Sequence, residues 1–210
     1  MWRYAALRKC AITEEHVKHI LFIFAFLSSC ASARYIGTQP GEPGSRLTVI
    51  AGDVDISFVT FDNVSVSDST RTIYTEPGSH KASFRYQSRR LYSVQNAEIE
   101  FSGNRGDTVM ACYTSVIRSG SYPNFDWRWG IFPLVYPGQV DATGLFVKGE
   151  NPTCILWSGI GRESIFMQEN IDQGARRDFK NLKGQTLLQF AESIGAPAEN
   201  IARLEKNGFK

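Results

Sequence analysis

Of 23 basic and 21 acidic residues in this 210-residue chain, four and two fall in the first thirty positions, leaving 19 of each beyond. That balance excludes the broad basic surface on which phosphate-backbone binding depends. The apolar stretches are all shorter than the ~20 residues a membrane-spanning helix needs, and the length of the chain suits one domain, or one domain with a small appendage.

The first element is Val17 to Ala33, VKHILFIFAFLSSCASA. Lys18 and His19 lead into the apolar run Ile20 to Leu27, and six small residues, Ser28 to Ala33, follow. A basic lead, a short apolar run and a small-residue zone form the layout of a secretory signal. Leu27-Ser28-Ser29-Cys30 resembles the lipobox of bacterial lipoproteins. The resemblance implies that the Cys30 thiol is lipidated and that the chain is cut just before it. It implies a mature protein held on the bacterial cell envelope facing the periplasm, on the outer membrane, with a membrane or envelope protein as its partner. Several acyl chains hold stably where one holds only reversibly. Ala31-Ser32-Ala33 is a competing site, since a cut after A-x-A leaves a soluble periplasmic or secreted domain. Residues 1–16 are long for a leader and include Glu14 and Glu15, whereas a start at Val17 gives a compact one.

Arg34 to Ser45, RYIGTQPGEPGS, reads as a flexible tether over 34–45. Strand signals begin at Arg46–Ile50 and continue through Val54–Phe61, where Val54, Ile56, Phe58 and Thr60 alternate. Asp62-Asn63 marks a turn. Thr72–Thr75 and Ala82–Tyr86 flank Pro77-Gly78, the chemistry of a type II turn, and predict a β-hairpin or tight corner. Ile73, Thr75, Pro77, Gly78, His80, Ala82, Phe84 and Tyr86 follow a strand, Pro-Gly-x-His, strand pattern similar to that of small β-sandwich modules in bacterial envelope lipoproteins. Those modules commonly carry Asp-Gly where this chain has Asp62-Asn63. The resemblance implies a fold rather than a function.

Ala97–Ser102 and Asp107–Val116 read as strands joined by a Gly103–Gly106 hairpin loop. Phe125–Tyr136, FDWRWGIFPLVY, is an aromatic strand whose Pro133 places its second half at a sheet edge or bends it away. Cys154–Trp157 is expected as a last strand. From Glu163 on, helix formers dominate: one helix ends at Gly195, and Pro197 fits the first turn of another over Ala198–Lys206. The expected fold is therefore mainly β, an antiparallel β-sandwich over 46–160 with a helical C-terminal segment over 161–210, after a signal region over 1–33.

The chemistry is sparse. Cys112 and Cys154 form an even pair that suits a disulfide in an oxidising compartment, or else two buried free thiols. Neither has a neighbour at metal-ligand spacing, and no cofactor or metal is expected. His80 is the one histidine after the signal region, beside a turn where an exposed or capping residue is expected rather than a catalytic base. Glu98 and Glu100 share a strand face that reads as solvated. Ala191, Gly195 and Ile201 stand at helix-turn-helix spacing, but the export signal and neutral charge argue for a helical hairpin packed on the sheet or a partner, and against nucleic acid. Trp127, Arg128 and Trp129 are the candidate binding residues: outward, the two tryptophans stack on a ligand or anchor a partner, and inward they fill the core. The expectation is a non-enzymatic envelope lipoprotein with a structural or partner-binding role. The alternatives are a soluble exported binding domain cut after Ala33 and a small periplasmic hydrolase with a carboxylate site.

Overall fold

A computed structural model describes residues 32–38, 46–88, 92–121, 124–138, 151–162 and 166–210, with backbone only across 115–121 and 124–128. Residues 1–31 of the signal region, Cys30 among them, residues 39–45 of the expected tether and the turn-rich stretch 139–150 lie outside the described residues. Ala31–Lys210 forms one compact unit. Its strands are β1 (Ser32–Tyr35), β2 (Leu47–Ala51), β3 (Ile56–Phe61), β4 (Val64–Ser65), β5 (Thr70–Thr75), β6 (Gly78–Tyr86), β7 (Ala97–Gly103), β8 (Thr108–Ser121), β9 (Asn124–Tyr136) and β10 (Lys180–Asn181). Its helices are α1 (Pro152–Gly159), α2 (Met167–Asp172), α3 (Leu187–Ser193) and α4 (Ala198–Lys206).

The fold is mixed α/β rather than mainly β: two sheets and a set of C-terminal helices. The larger sheet runs β1-β5-β2-β8-β9-β10 and the smaller β4-β3-β6-β7. The smaller sheet is antiparallel throughout. The larger is antiparallel except where β1 meets β5 and β2 meets β8, both parallel. The antiparallel expectation therefore holds for most pairs; the two parallel ones arise because the chain leaves and re-enters this sheet by way of the smaller one, so its neighbours are not consecutive.

Side-chain alternation explains why β2 is buried at every position. Leu47, Val49 and Ala51 enter a cluster with Phe58, Phe84, Ile99 and Phe101 of the smaller sheet. Ile50, between them, enters a second cluster with Leu156, Leu187 and Leu204 of the helices. β8 divides in the same way, Val109 and Ala111 to the first cluster, Met110 and Cys112 to the second. A strand covered on both faces reads as an unbroken apolar run, and LTVIA does. In β3 a register shift between Phe58 and Thr60 breaks the expected alternation and lets both Phe58 and Phe61 face the core.

The turns carry the topology. Asp62 and Asn63 both have positive φ, 47° and 65°, as a two-residue hairpin between β3 and β4 requires. Pro77-Gly78 is a corner, not a hairpin, because β5 and β6 belong to different sheets. Gly103–Gly106 also corrects the expected hairpin: it carries the chain from β7 in one sheet to β8 in the other. A Cβ at Gly103 would run into the Leu47 side chain, so only glycine lets the two sheets approach there.

Two further expectations are corrected. Arg34 and Tyr35 are not tether but part of β1, and Ile36 N–H continues the contact by donating to the Tyr74 carbonyl at 2.9 Å. The buried Arg46 guanidinium lies 5.0 Å from the Tyr35 ring centroid and 4.8 Å from that of Tyr74, tying β1 and β5 to the start of β2. Cys154–Trp157 is helix α1, not a strand. Asn151 caps it by accepting from Cys154 N–H at 3.0 Å, and Pro152 opens the first turn, where its missing N–H costs nothing. A four-residue apolar run does not distinguish a strand from a buried helix.

α3 and α4 match the expected helical hairpin. Thr186 and Gln189 form a reciprocal capping box at the start of α3, Gly195 turns the chain at φ 65°, and Pro197 caps α4 rather than entering its first turn. Leu187, Ala191 and Leu204 are buried in the second cluster, with residues of α1, α2 and the larger sheet, so the hairpin's apolar face is spent inside the domain.

Candidate ligand cavity

The expected site residues are scattered. Cys112 and Cys154 are joined in a disulfide that ties β8 to α1, buried at 0% and 2% exposure. Trp129 is half-buried, packed against the inter-sheet cluster with its ring 5.9 Å from that of Tyr86. The side chains of Trp127 and Arg128 lie outside the described residues; their backbone pairs with Ile117 and Val116 in the β8–β9 ladder. His80 has both ring nitrogens engaged, Nδ1 with Asp62 Oδ2 at 2.7 Å and Nε2 with the Glu76 carbonyl at 2.8 Å. It pins the β3–β4 turn to the corner before β6. Glu98 and Glu100 are exposed, and Glu98 pairs with Lys81 at 2.7 Å on the open face of the smaller sheet.

A cavity of about 780 Å³ lies where β8 and β9 meet α1, α3 and the loop after β10. Phe132, Pro133, Trp157, Ile160 and Phe190 make its apolar wall. Trp157 and Phe190 are stacked with centroids 5.6 Å apart, and the Trp157 indole N–H is buried with no acceptor among the described residues. Leu182 and Ile194, 51% and 46% exposed, line the cavity where it opens. Arg162 and Lys183 are also on its lining. Such a volume falls in the range of about 300–1,000 Å³ typical of small-molecule sites, which combine apolar walls with a few placed polar groups.

Two asparagines build the opening. Asn181 Oδ1 accepts from both Lys183 N–H and Gln185 N–H at 3.0 Å, and Gly184, at φ 74°, closes this tight loop. The loop carries Leu182 and Lys183 to the rim. Asn200, 3% exposed on α4, donates through Nδ2 to the Ile160 and Arg162 carbonyls at 3.0 and 2.7 Å. It thereby satisfies two carbonyls just past the end of α1 and fixes the segment that bears Arg162.

A smaller cleft of about 210 Å³ adjoins the cavity through Thr114, Ser158 and Arg162, and adds Asp53, Tyr113 and the exposed Phe166. Burial, reinforced by the Asp53 carboxylate, pushes the Tyr113 phenol well above its ordinary value, so it stays a neutral hydrogen-bonding group at physiological pH. Among the described residues no three His, Cys, Asp or Glu side chains converge as metal ligands.

Sequence reasoning missed this cavity because its lining comes from five separate segments. The signals were Leu182, an apolar residue in otherwise polar surroundings, and Trp157, whose face depends on whether its segment is strand or helix. Set beside known protein families, curated proteins and solved structures, the chain matches none.

Proposed function

We propose that this chain is an exported binding domain, non-enzymatic, whose two sheets pack as a β-sandwich and whose ligand site is the cavity between the larger sheet and the helices. The cavity carries the reading: about 780 Å³, mainly apolar, with its opening set by the Asn181 and Asn200 hydrogen bonds. Export is supported by the signal-like Val17–Ala33 and by the buried Cys112–Cys154 disulfide, a bond that persists in oxidising compartments. The engaged His80 ring and the solvated Glu98 and Glu100 favour binding over hydrolysis.

The test is a titration of the mature protein with N-phenyl-1-naphthylamine, an uncharged apolar fluorophore. Saturable binding at one site is expected, and Leu182→Asp with Ile194→Asp abolishes it while the thermal midpoint holds, since both side chains are half out in solvent. Absent or non-saturable binding, or binding that the double variant leaves intact, refutes the cavity as the site.

A second reading, a lipid-anchored protein that supports another envelope component, rests on Leu27-Ser28-Ser29-Cys30. β1 begins at Ser32, so an anchor on Cys30 holds the β1 edge close to the membrane, whereas a cut after Ala33 removes the first two residues of β1. The mass of the mature N-terminus and membrane fractionation, with Cys30→Ser alongside, separate the two. A diacylglyceryl Cys30 and release of the variant establish the anchor; an unmodified Arg34 N-terminus refutes it.

A further inference from the structure

Eight large apolar side chains are exposed among the described residues. Leu182 and Ile194 belong to the cavity, Tyr35 is stacked on Tyr74, and Val64 is in β4. The other four are Val54, Tyr92, Val94 and Phe166, at 46%, 73%, 92% and 58% exposure. Strand register brings them to one end of the domain. β1 enters there at Ser32 opposite Thr70, the start of β5, and β2 ends there with Ala51 opposite Ala111. Arg71, next to Thr70, donates to the carbonyls of Asp53, Val54 and Ile56, which ties the start of β3 to the same end and fixes the loop that bears Val54. Ile56 pairs with Tyr86 at the end of β6. Ser93 is buried beside it: its Oγ accepts from Tyr86 N–H at 3.1 Å and its N–H donates to the Tyr86 carbonyl at 2.8 Å. With Ser93 turned in, its neighbours Tyr92 and Val94 stand in solvent. Phe166 lines the small cleft together with Asp53. Exposed apolar residues scattered singly are ordinary, but four from three segments at one end mark an interaction surface.

The chain itself points to the occupant. Cys30 of the lipobox-like stretch precedes Ser32 by two residues, a reach of at most about 7 Å, so an anchored chain leaves the bilayer at this end. The β8–β9 ladder runs on past the end of β2, from Ala111 to Ser121, and its outer half carries Trp127 in sequence. Tryptophan and tyrosine, as at Tyr92, are the side chains that settle at a membrane–water interface. We infer that this end of the domain rests on the lipid bilayer, with Val54, Tyr92, Val94 and Phe166 at the headgroup level. The inference rests on the reading of Cys30 as a lipid anchor. An anchor by itself limits distance but not orientation; the apolar end makes the domain stand one way up. The β3–β4 turn, a strand length of about 17 Å away along β3, then faces the water.

The test uses the mature protein in phosphatidylcholine vesicles with a fluorescent NBD label on Val94→Cys or, at the far end, on Val64→Cys. Lipid on Cys30 and the Cys112–Cys154 bond leave the added cysteine as the one free thiol. Doxyl-labelled phosphatidylcholine should quench the Val94 label several-fold more than the Val64 label. Val54→Ser with Tyr92→Ser, both exposed and so without a part in the core, should lower the ratio of docked to undocked domain about tenfold, and the quenching with it. A lipidated Cys30 with equal quenching at the two labels, or quenching that the double variant leaves intact, overturns the docking while the anchor stands. A Val94 label shielded from water but not quenched by the doxyl lipid marks a second copy of the chain as the occupant and overturns it too. An unmodified Arg34 N-terminus, read from the mass, removes the anchor and the docking together.

Discussion

Removing the Cys112–Cys154 bond is expected to cost about 4 kcal/mol of stability. The cysteines are 42 residues apart. Closing a loop of that length in the unfolded chain removes about 13 cal/mol/K of entropy, which at 25 °C is about 4 kcal/mol. The bond connects β8 to α1, so it encloses β9 and restrains the unfolded chain across the sheet–helix junction. Both cysteines are buried, and Cys112→Ala with Cys154→Ala leaves little space to fill, so the entropy of the unfolded chain dominates the change. Urea unfolding followed by tryptophan fluorescence is the assay. With a slope of about 2 kcal/mol/M, the double variant should unfold at about 2 M less urea than the oxidised chain. Total stabilities of about 5–15 kcal/mol make this a large share, which is why the domain should be far less robust in a reducing compartment. Coincident midpoints would refute the reasoning, as would tryptic peptides bearing Cys112 and Cys154 that are not linked in the native protein.

Three other perturbations test the packing. Gly52→Ala places a Cβ within 2.6 Å of the Ala111 carbonyl oxygen, Cys154 Sγ and Met110 Cγ, and should cost about 3 kcal/mol; a loss under about 1 kcal/mol in thermal unfolding contradicts the packing of β2 on β8. Asn200→Ala strands two carbonyls past the end of α1 and should cost about 2–3 kcal/mol in urea unfolding, without rescue by Asn200→Asp, which lacks the Nδ2 donor. Asp178 is pushed up by burial, but bonds from Arg176 at 3.1 and 2.8 Å help to hold it below its ordinary 3.8. Its folded value is therefore lower than its unfolded one, so the pair stabilises above about pH 4 and that contribution is lost as pH falls through the folded value. Because both groups are partly exposed, Asp178→Asn should lower stability at pH 7 by under about 1 kcal/mol, and the difference should vanish in acid, once Asp178 is protonated in the folded chain as well. A difference that persists there contradicts the assignment.

What could be read along the chain was local. Asp62-Asn63 is a turn because both residues tolerate positive φ, and Gly195 ends a helix for the same reason. The apolar faces of α3 and α4 follow from helical period. None of these depends on distant residues, and each was legible without them.

Pairing between distant segments was not. The glycines at Gly78 and Gly103 predict a change of direction, but a hairpin and a corner between two sheets use the same residues; what separates them is which strand lies alongside, as Leu47 does at Gly103. The same gap turned Cys154–Trp157 from an expected strand into α1, since the apolar run suits either and the larger sheet decides by offering Met110, Cys112 and Leu134 to a helix. The sequence by itself determined the signal-like leader, the charge balance, the turns and the helical hairpin, all set by neighbours within a few residues. Only the tertiary structure decided that Cys112 meets Cys154, that two strand pairs run parallel, and that Trp157, Leu182, Phe190 and Ile194 surround one cavity, because those relations arise when segments far apart in the chain share the same buried space.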